Sequence, residues 1–276
     1  ARRINVIMPF LYESRQHKRS GRESLDCALG LQELTAMGVE NIITFDAHDP
    51  RVQNAIPLHG FETIQPAYQF IKNILRNAPD MKLDKDHLMV ISPDEGGMGR
   101  AVFYSNQLGV DMGMFFKRRN YSTLVNGEHP VISMEFLGND VSGKDVIIVD
   151  DMIASGKTVL EVTKELKKRN AARVIICATF GLFNDGLEEL DQAYKEKVFD
   201  HIYTTNLCYC PSALKERPYY HNVDLSRYIA LIIDTLNHDT SVNDIMNATK
   251  RIQELLEERS KTVSYTHLRA HETLSD

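Results

Sequence analysis

Cysteine is scarce in this chain, positive charge is not in excess and no apolar run is long; each shortage removes a class of protein. The four cysteines among 276 residues, Cys27, Cys177, Cys208 and Cys210, are scattered, which fits thiols kept reduced in the cytoplasm. Cys177 falls in an apolar strand pattern and Cys27 in a helical one, the places of small buried hydrophobes. Cys208-Tyr209-Cys210 is too close a pair, without nearby partners, for a standard zinc site. A net charge of −6 argues against a nucleic-acid binder, which needs a clustered basic face. The locally basic stretch from Arg15 to Arg22 has the length of a phosphate site or a solvated loop. No run approaches the ~20 apolar residues that cross a bilayer as a helix, and no secretory leader is visible. Gly156-Lys157-Thr158 lacks the glycine that a Walker A loop carries five residues before its Gly-Lys pair, where this chain has Asp151.

What is present reads as a globular protein, with 43% hydrophobic and 25% charged residues and room for one large or two medium domains. Strand and helix patterns alternate, which predicts a parallel α/β architecture. Strands are expected at 4–9, 39–45, 87–92, 111–116, 131–135, 145–150, 173–180 and 201–204. Helices are expected at 23–37, 67–77, 99–108, 157–169, 185–197 and 225–236, the first with a capping box from Ser20 and Glu23. A last helix, 242–259, carries Ile245, Met246, Ile252, Leu255 and Leu256 at core spacing. Residues 77–86, with Pro79 and mixed charges, read as a linker or loop. Lys117 to Gly127 reads as an exposed, mobile loop, fit to close over an anionic substrate. The chain runs from Ala1-Arg2-Arg3 straight into a strand without an initiator Met, and Val263–Asp276 breaks the preceding helical pattern. Both ends are therefore expected to be incomplete or foreign, with 262–276 a non-native tail.

The densest signal is the segment Asp145 to Thr158. An apolar β-branched run, Val146 to Val149, ends in two adjacent carboxylates, Asp150 and Asp151. A loop of small and hydroxyl residues follows, and then a helix. This is a buried parallel strand that delivers acids to its C-terminal edge, where open α/β sheets bind ligands. The loop from Ala154 through Ser155, Gly156 and Lys157 to Thr158 can turn backbone N–H groups, two hydroxyls and a helix N-terminus toward a phosphate. Carboxylates beside a phosphate cradle suit sugar hydroxyls, whose protons they accept. A strand-end acid that merely caps the next helix would explain one Asp, not two.

This segment is similar to the phosphoribosyl pyrophosphate (PRPP) signature of phosphoribosyltransferases and ribose-phosphate pyrophosphokinases, in which the two acids hold the ribose hydroxyls and the loop holds the 5-phosphate. The usual loop has an acid at the place of Ala154 and a glycine at that of Lys157, so the phosphate role carries over and a third loop carboxylate does not. Three other segments resemble ribose-phosphate pyrophosphokinases specifically, and the likeness runs from about Arg3 to Lys261. Ser14-Arg15-Gln16-His17 resembles an Arg-Gln-Asp segment that contacts ATP; Arg15 and Gln16 carry over, whereas His17 replaces the family acid. Asp46-Ala47-His48 resembles Asp-Leu-His, which implies His48 near ATP and metal. Ser92-Pro93-Asp94, followed by Gly96-Gly97, resembles the family's magnesium-binding Asp, which implies Asp94 as a ligand and Glu95 beside it. Lys117-Arg118-Arg119 resembles the cations that reach the transferring group, which implies catalytic roles for Lys117 and Arg119, with Arg118 pointing elsewhere.

The resemblance implies two phosphoribosyltransferase-type α/β domains with mainly parallel sheets flanked by helices. A shortened ATP-side unit would span 1–66, joined by the helix 241–260, and a ribose-5-phosphate and PRPP unit would span 67–240. The implied reaction passes the diphosphoryl group of Mg-ATP to the 1-hydroxyl of ribose 5-phosphate, giving PRPP and AMP, in a cytoplasmic homo-oligomer that binds neither nucleic acid nor membrane. A non-catalytic regulatory homologue or a phosphoribosyltransferase is the alternative.

Overall fold

A computed structural model describes residues 3–119 and 131–272; for Lys117, Arg119, Val131, Ile132 and residues 262–272 it describes the backbone alone. The chain opens with β1 (Asn5–Met8), α1 (Asp26–Ala36), β2 (Asn41–Phe45), a 3-10 helix (Pro50–Ala55) and β3 (Gly60–Ile64). These strands form a parallel three-stranded sheet in the order β1-β2-β3. After α2 (Ala67–Asn77) come β4 (Leu88–Ser92), α3 (Met98–Leu108), β5 (Asp111–Arg119), β6 (Val131–Leu137), β7 (Asp145–Ile153) and α4 (Lys157–Lys168). Then follow β8 (Val174–Gly181), α5 (Glu188–Lys195), β9 (His201–Thr205), α6 (Ser212–Lys215), β10 (Tyr220–Val223), α7 (Ser226–Asn237), α8 (Asn243–Met246) and α9 (Ala248–Glu272). The second sheet has seven strands in the order β10-β9-β8-β7-β4-β5-β6, all parallel except β6, which pairs antiparallel with β5.

The apolar runs explain the layers. In a strand, alternate residues face opposite sides, so a run that is apolar throughout is covered on both faces. Leu88 and Val90 of β4, and Ile147 and Val149 of β7, enter one core with α2, α3, α7 and α9. Met89, Ile91, Val146 and Ile148 enter the opposite core with α4 and α5. The small sheet is fastened by the same device: Ile42 packs toward α1 with Cys27 and Leu31, while Ile43, Phe45 and Ile64 join the first core of the large sheet. The two sheets thus share buried apolar surface.

Several boundaries differ from the sequence expectation for identifiable reasons. Strands β3 and β10 were not expected: GFETI and YHNV are short sheet-edge segments without an apolar run. Lys117–Arg119, expected in a loop, extend β5 because β6 pairs with them; the rest of that expected loop lies outside the described residues. Half of the capping box forms, with the Ser20 N–H donating to Glu23 Oε2 at 3.2 Å, yet the helix starts only at Asp26. The final helix continues through the point at Val263 where the pattern was expected to break. It packs on α2 and α3, elements of the second expected unit. Among the described residues no helix is long and apolar enough to cross a membrane.

Candidate active site

The order of the large sheet creates the site. From β4 the chain builds outward through β5 and β6, then returns to the other side of β4 as β7 and builds outward again through β8 to β10. Such a reversal leaves a crevice beyond the C-terminal ends of the two central strands. The turn after β4 brings Asp94 to Gly97 to that crevice, and the end of β7 brings Asp150 and Asp151. The loop into α4 adds Ala154 to Gly156 and Thr158, β5 and β6 add Phe116, Arg118 and Glu135, and the small sheet adds Arg15 and His48. Together they line a cavity of about 870 Å³, within the range of small-molecule sites and roomy enough for more than one ligand.

Asp150 and Asp151 are unequal. Asp151 is buried, and burial opposes its charge, but the His48 hydrogen bond and the nearby Arg100 outweigh that and hold its carboxyl below the usual range. Because a carboxylate only accepts, His48 Nδ1 is the donor to Asp151 Oδ2 at 2.8 Å. Burial, and then the charge of Asp151, push Asp150 well above the usual carboxylate range. Arg100 Nη1, 3.9 Å from Asp150 Oδ1, offsets this only in part. Asp150 Oδ1 also accepts the N–H of Asp151 at 2.9 Å, which fixes the orientation of one carboxyl by the other's backbone.

Behind these acids lies a buried network. The Arg100 guanidinium, on the apolar stripe of α3 with Ala101 and Tyr104, donates to both carboxylate oxygens of Asp46, Nε to Oδ1 at 2.9 Å and to Oδ2 at 3.0 Å, and Nη2 to Oδ1 at 2.8 Å. Thr179 Oγ1 of β8 donates to Asp46 Oδ2 at 2.5 Å. Asp46 sits in the left-handed region with φ +41°, where its own N–H is taken by Ile64 at 2.9 Å and the N–H of Ala47 by Thr63 Oγ1 at 2.9 Å. That turn carries the chain out of β2 and sets His48 against the cavity.

Two helices of eleven and twelve residues, α3 and α4, begin at the cavity. Their first N–H groups have no partner within the helix, and their dipoles favour an anion there. Gly156, at φ +88°, makes the turn into α4 in a backbone region that L side chains rarely adopt. Gly97, before α3, is packed so closely that a Cβ would lie 2.8 Å from Ser92 Oγ. Asp94 accepts the Gly97 N–H at 3.1 Å, so it caps that turn while lining the cavity.

Of the residues singled out from sequence, Arg15, His48, Asp94, Asp150, Asp151, Ala154, Ser155, Gly156 and Thr158 converge on this cavity. Gln16 and Lys157 are not among its lining residues; Lys157 Nζ pairs with Asp185 on the surface at 2.8 Å. The side chains of Lys117 and Arg119 lie outside the described residues. Arg118, expected to point elsewhere, lines the cavity, one strand across from Glu135. Asp46, Arg100 and Thr179 were missed. One signal was available for Arg100: a charge at an apolar position of a helix is buried only when paired.

Among curated proteins, the chain is 30% identical over 208 residues to a ribose-phosphate pyrophosphokinase of Mycoplasma genitalium, which covers 75% of this chain and 59% of the relative. It is 28% identical over 247 residues to the enzyme of that name from Mycoplasma pneumoniae, covering 89% and 71%. With the Corynebacterium efficiens enzyme of that name it shares 33% over 192 residues, covering 68% and 55%. Among solved structures, a phosphoribosylpyrophosphate synthetase from Mycobacterium smegmatis superposes with a TM-score of 0.73 at 25% identity, over 87% of this chain and 73% of the other. The family model of the phosphoribosyl transferase domain matches residues 61–212, from β3 through the acid pair to α6, and on that match the chain belongs to the phosphoribosyl transferase domain family.

Proposed function

We propose that the protein makes PRPP and AMP from ribose 5-phosphate and ATP, acting in the cytoplasm as part of a homo-oligomer. The observation that carries this reading is the convergence on one cavity of the acid pair, two helix N-termini, His48, Asp94 and Arg15. The fitting relatives bear the names ribose-phosphate pyrophosphokinase and phosphoribosylpyrophosphate synthetase.

Asp150 and Asp151 accept hydrogen bonds from the ribose hydroxyls and so aim the 1-hydroxyl. Ser155, Thr158 and the first N–H groups of α4 take the 5-phosphate, the electrostatic role of a helix start. The first turn of α3 and Arg15 face the triphosphate, with Gln16 on the same loop; Arg15 offers a fixed fork of donors to phosphate oxygens. Holding two reactants in line supplies about 7–11 kcal/mol of a barrier, so no covalent intermediate on the protein is needed. Lys117 and Arg119 supply positive charge toward the transferring group.

The donor set fits a hard cation in part. Among the described residues no three His, Cys, Asp or Glu side chains gather to hold a metal. Magnesium keeps several waters and shares substrate phosphates, binding through one or two carboxylates; Asp94, with His48 at the same cavity, meets that need. Bound there, it would draw the phosphate oxygens together and neutralise their charge.

The test is ³¹P NMR of the full chain with Mg-ATP and ribose 5-phosphate. AMP together with an anomeric diphosphate is the expected outcome. ATP left intact by folded protein that still binds PRPP would sink the proposal.

A further inference from the structure

The N-terminal edge of the large sheet, opposite the cavity, carries two histidines that the reading above does not use. His201 opens β9, and His221 lies in the neighbouring β10, level with Tyr203. His201 and Tyr203 point to the same face of β9. Both histidine rings are half-buried, and His221 stacks on Tyr203 with centroids 4.5 Å apart. Their facing nitrogens, His201 Nδ1 and His221 Nε2, are 3.0 Å apart. Asn77 Nδ2 of α2, which only donates, lies 3.2 Å from His221 Nδ1. Nδ1 is therefore the acceptor of the His221 ring, and Nε2 carries its proton and donates it to His201.

The two rings are not aimed straight at one another. Their centres are 4.9 Å apart and their planes are tilted by 60°. That is too close for an in-line pair over a 3.0 Å gap, because each centre sits a ring radius behind its nitrogen. The two nitrogens look instead toward a common point beside the line that joins them. With metal–nitrogen bonds of about 2.0–2.1 Å, nitrogens 3.0 Å apart subtend about 95° at an ion on that point. An angle near 90° is an edge of a square or an octahedron, whereas a tetrahedral ion such as Zn²⁺ wants a wider one. The charged groups felt by His201 are Asp200 and Arg173. Arg173 is itself offset by Asp80, to which Nη1 donates at 3.3 Å, and by Asp145 at 3.7 Å, so the surroundings do not repel a cation.

We propose that His201 Nδ1 and His221 Nε2 together bind a divalent transition-metal ion of tetragonal or octahedral preference, Ni²⁺ or Cu²⁺, at the edge of the sheet remote from the cavity. Imidazole nitrogen suits such ions, and Mg²⁺, which takes oxygen, is excluded. Water fills the remaining positions. The ion takes the place of the shared proton, which moves to His221 Nδ1. The Asn77 amide turns over so that its Oδ1 accepts that proton, and Tyr203 Oη, now an acceptor from Asn77 Nδ2 at 3.2 Å, donates to the same oxygen. Asn77 thus becomes the group behind a ligand that fixes its tautomer and orientation. The bound ion ties β9 to β10 and, through Asn77, to α2.

Ni²⁺ titrated into the metal-free full chain, without nucleotide or sugar, tests this by calorimetry and by the shift in Tm. His267 and His271, four positions apart in the sequence, offer Ni²⁺ a competing pair, so the reference protein carries His267→Ala and His271→Ala. The expected result is a Ni²⁺ site on each chain and a Tm that rises with Ni²⁺, since an ion that binds only the folded state stabilises it. His221→Phe, which keeps a ring on Tyr203, and His201→Gln are each expected to weaken Ni²⁺ about tenfold or more and to abolish the Tm rise. Asn77→Leu is expected to weaken it about 10–100-fold, as loss of the group behind a ligand does, while Asn77→Asp retains it. His221→Gln serves if the phenylalanine variant is not folded by circular dichroism. A folded reference protein that takes up no Ni²⁺, or folded His201 and His221 variants with unchanged affinity and Tm response, would overturn the proposal. No substrate takes part, so absence of PRPP synthesis would leave a Ni²⁺ site at His201 and His221 standing, and the reverse.

Discussion

Asp150 and Asp151 sit side by side at the end of β7, and their environments divide the work between them. Asp151, paired with His48, stays ionised; Asp150 keeps its proton to higher pH in the folded chain than in the unfolded one. Between those two values the folded state binds more protons, so stability falls as the pH rises through the window above the ordinary carboxylate range. Asp150→Asn removes that slope. The variant is expected to be more stable than the wild type at neutral pH and equal to it in acid and, under the proposed function, to lose PRPP synthesis; urea unfolding over a pH series checks the stability, and a variant less stable at neutral pH would contradict it. Asp151→Asn is expected instead to weaken ribose 5-phosphate by about 1.5–3 kcal/mol, the worth of a charged hydrogen bond, roughly ten- to hundredfold in Kd by calorimetry. The presence of both acids was legible in the sequence because an apolar strand ending in acids is a local pattern. Their inequality was not, since it comes from His48, 103 positions away, and from Arg100.

At the level of elements, long apolar strands and amphipathic helices were readable, and sheet edges were not. β4, β7 and β8 are covered on both faces and consist of unbroken apolar runs, a one-dimensional signal. β10 needs only one neighbour and carries His221 and Asn222, so its pairing with β9 overrides a composition that suggests a loop. The end of β5 is a similar case, with backbone pairing to β6 deciding what Lys117-Arg118-Arg119 become. Helix α9 is held by a device that spacing cannot reveal. Arg259 donates to the carbonyls of Leu75 at 3.4 Å, Pro79 at 2.8 Å and Met81 at 2.7 Å, closing the C-terminal end of α2, and Arg251 lies 4.0 Å from the ring centre of Tyr68. Arg259→Ala is expected to cost about 1–2 kcal/mol through lost charged bonds to helix-end carbonyls, a Tm drop of roughly 2–8 °C. An unchanged Tm would mean that apolar contacts of Ile252 and its neighbours hold α9 without it.

On the scale of the whole molecule, the site exists only where the two sheets meet, and Asp46, Arg100 and Thr179 are the polar part of that meeting. They come from the end of β2, from α3 and from β8, and all three are at least nine-tenths buried. A buried charge deprived of its partner is costly, about 3–5 kcal/mol, whereas removing both partners costs far less. Arg100→Met alone is therefore expected to lower unfolding free energy by about that amount, because Asp46 is left charged with only Thr179 as donor. Adding Asp46→Asn should recover much of the loss, giving a coupling that a double-mutant cycle in urea resolves. Additive costs would mean that the two groups do not act as a pair. Thr179→Val separates stability from site geometry: it leaves the Arg100 fork intact but removes the third donor, at about 1.5–3 kcal/mol. Asp46 sets the left-handed turn that presents His48 to Asp151, so the variant is expected to weaken ribose 5-phosphate as well as the fold. A Thr179→Val protein that is less stable but binds the sugar phosphate as the wild type does would show the network to be a fastening of the two sheets and nothing more.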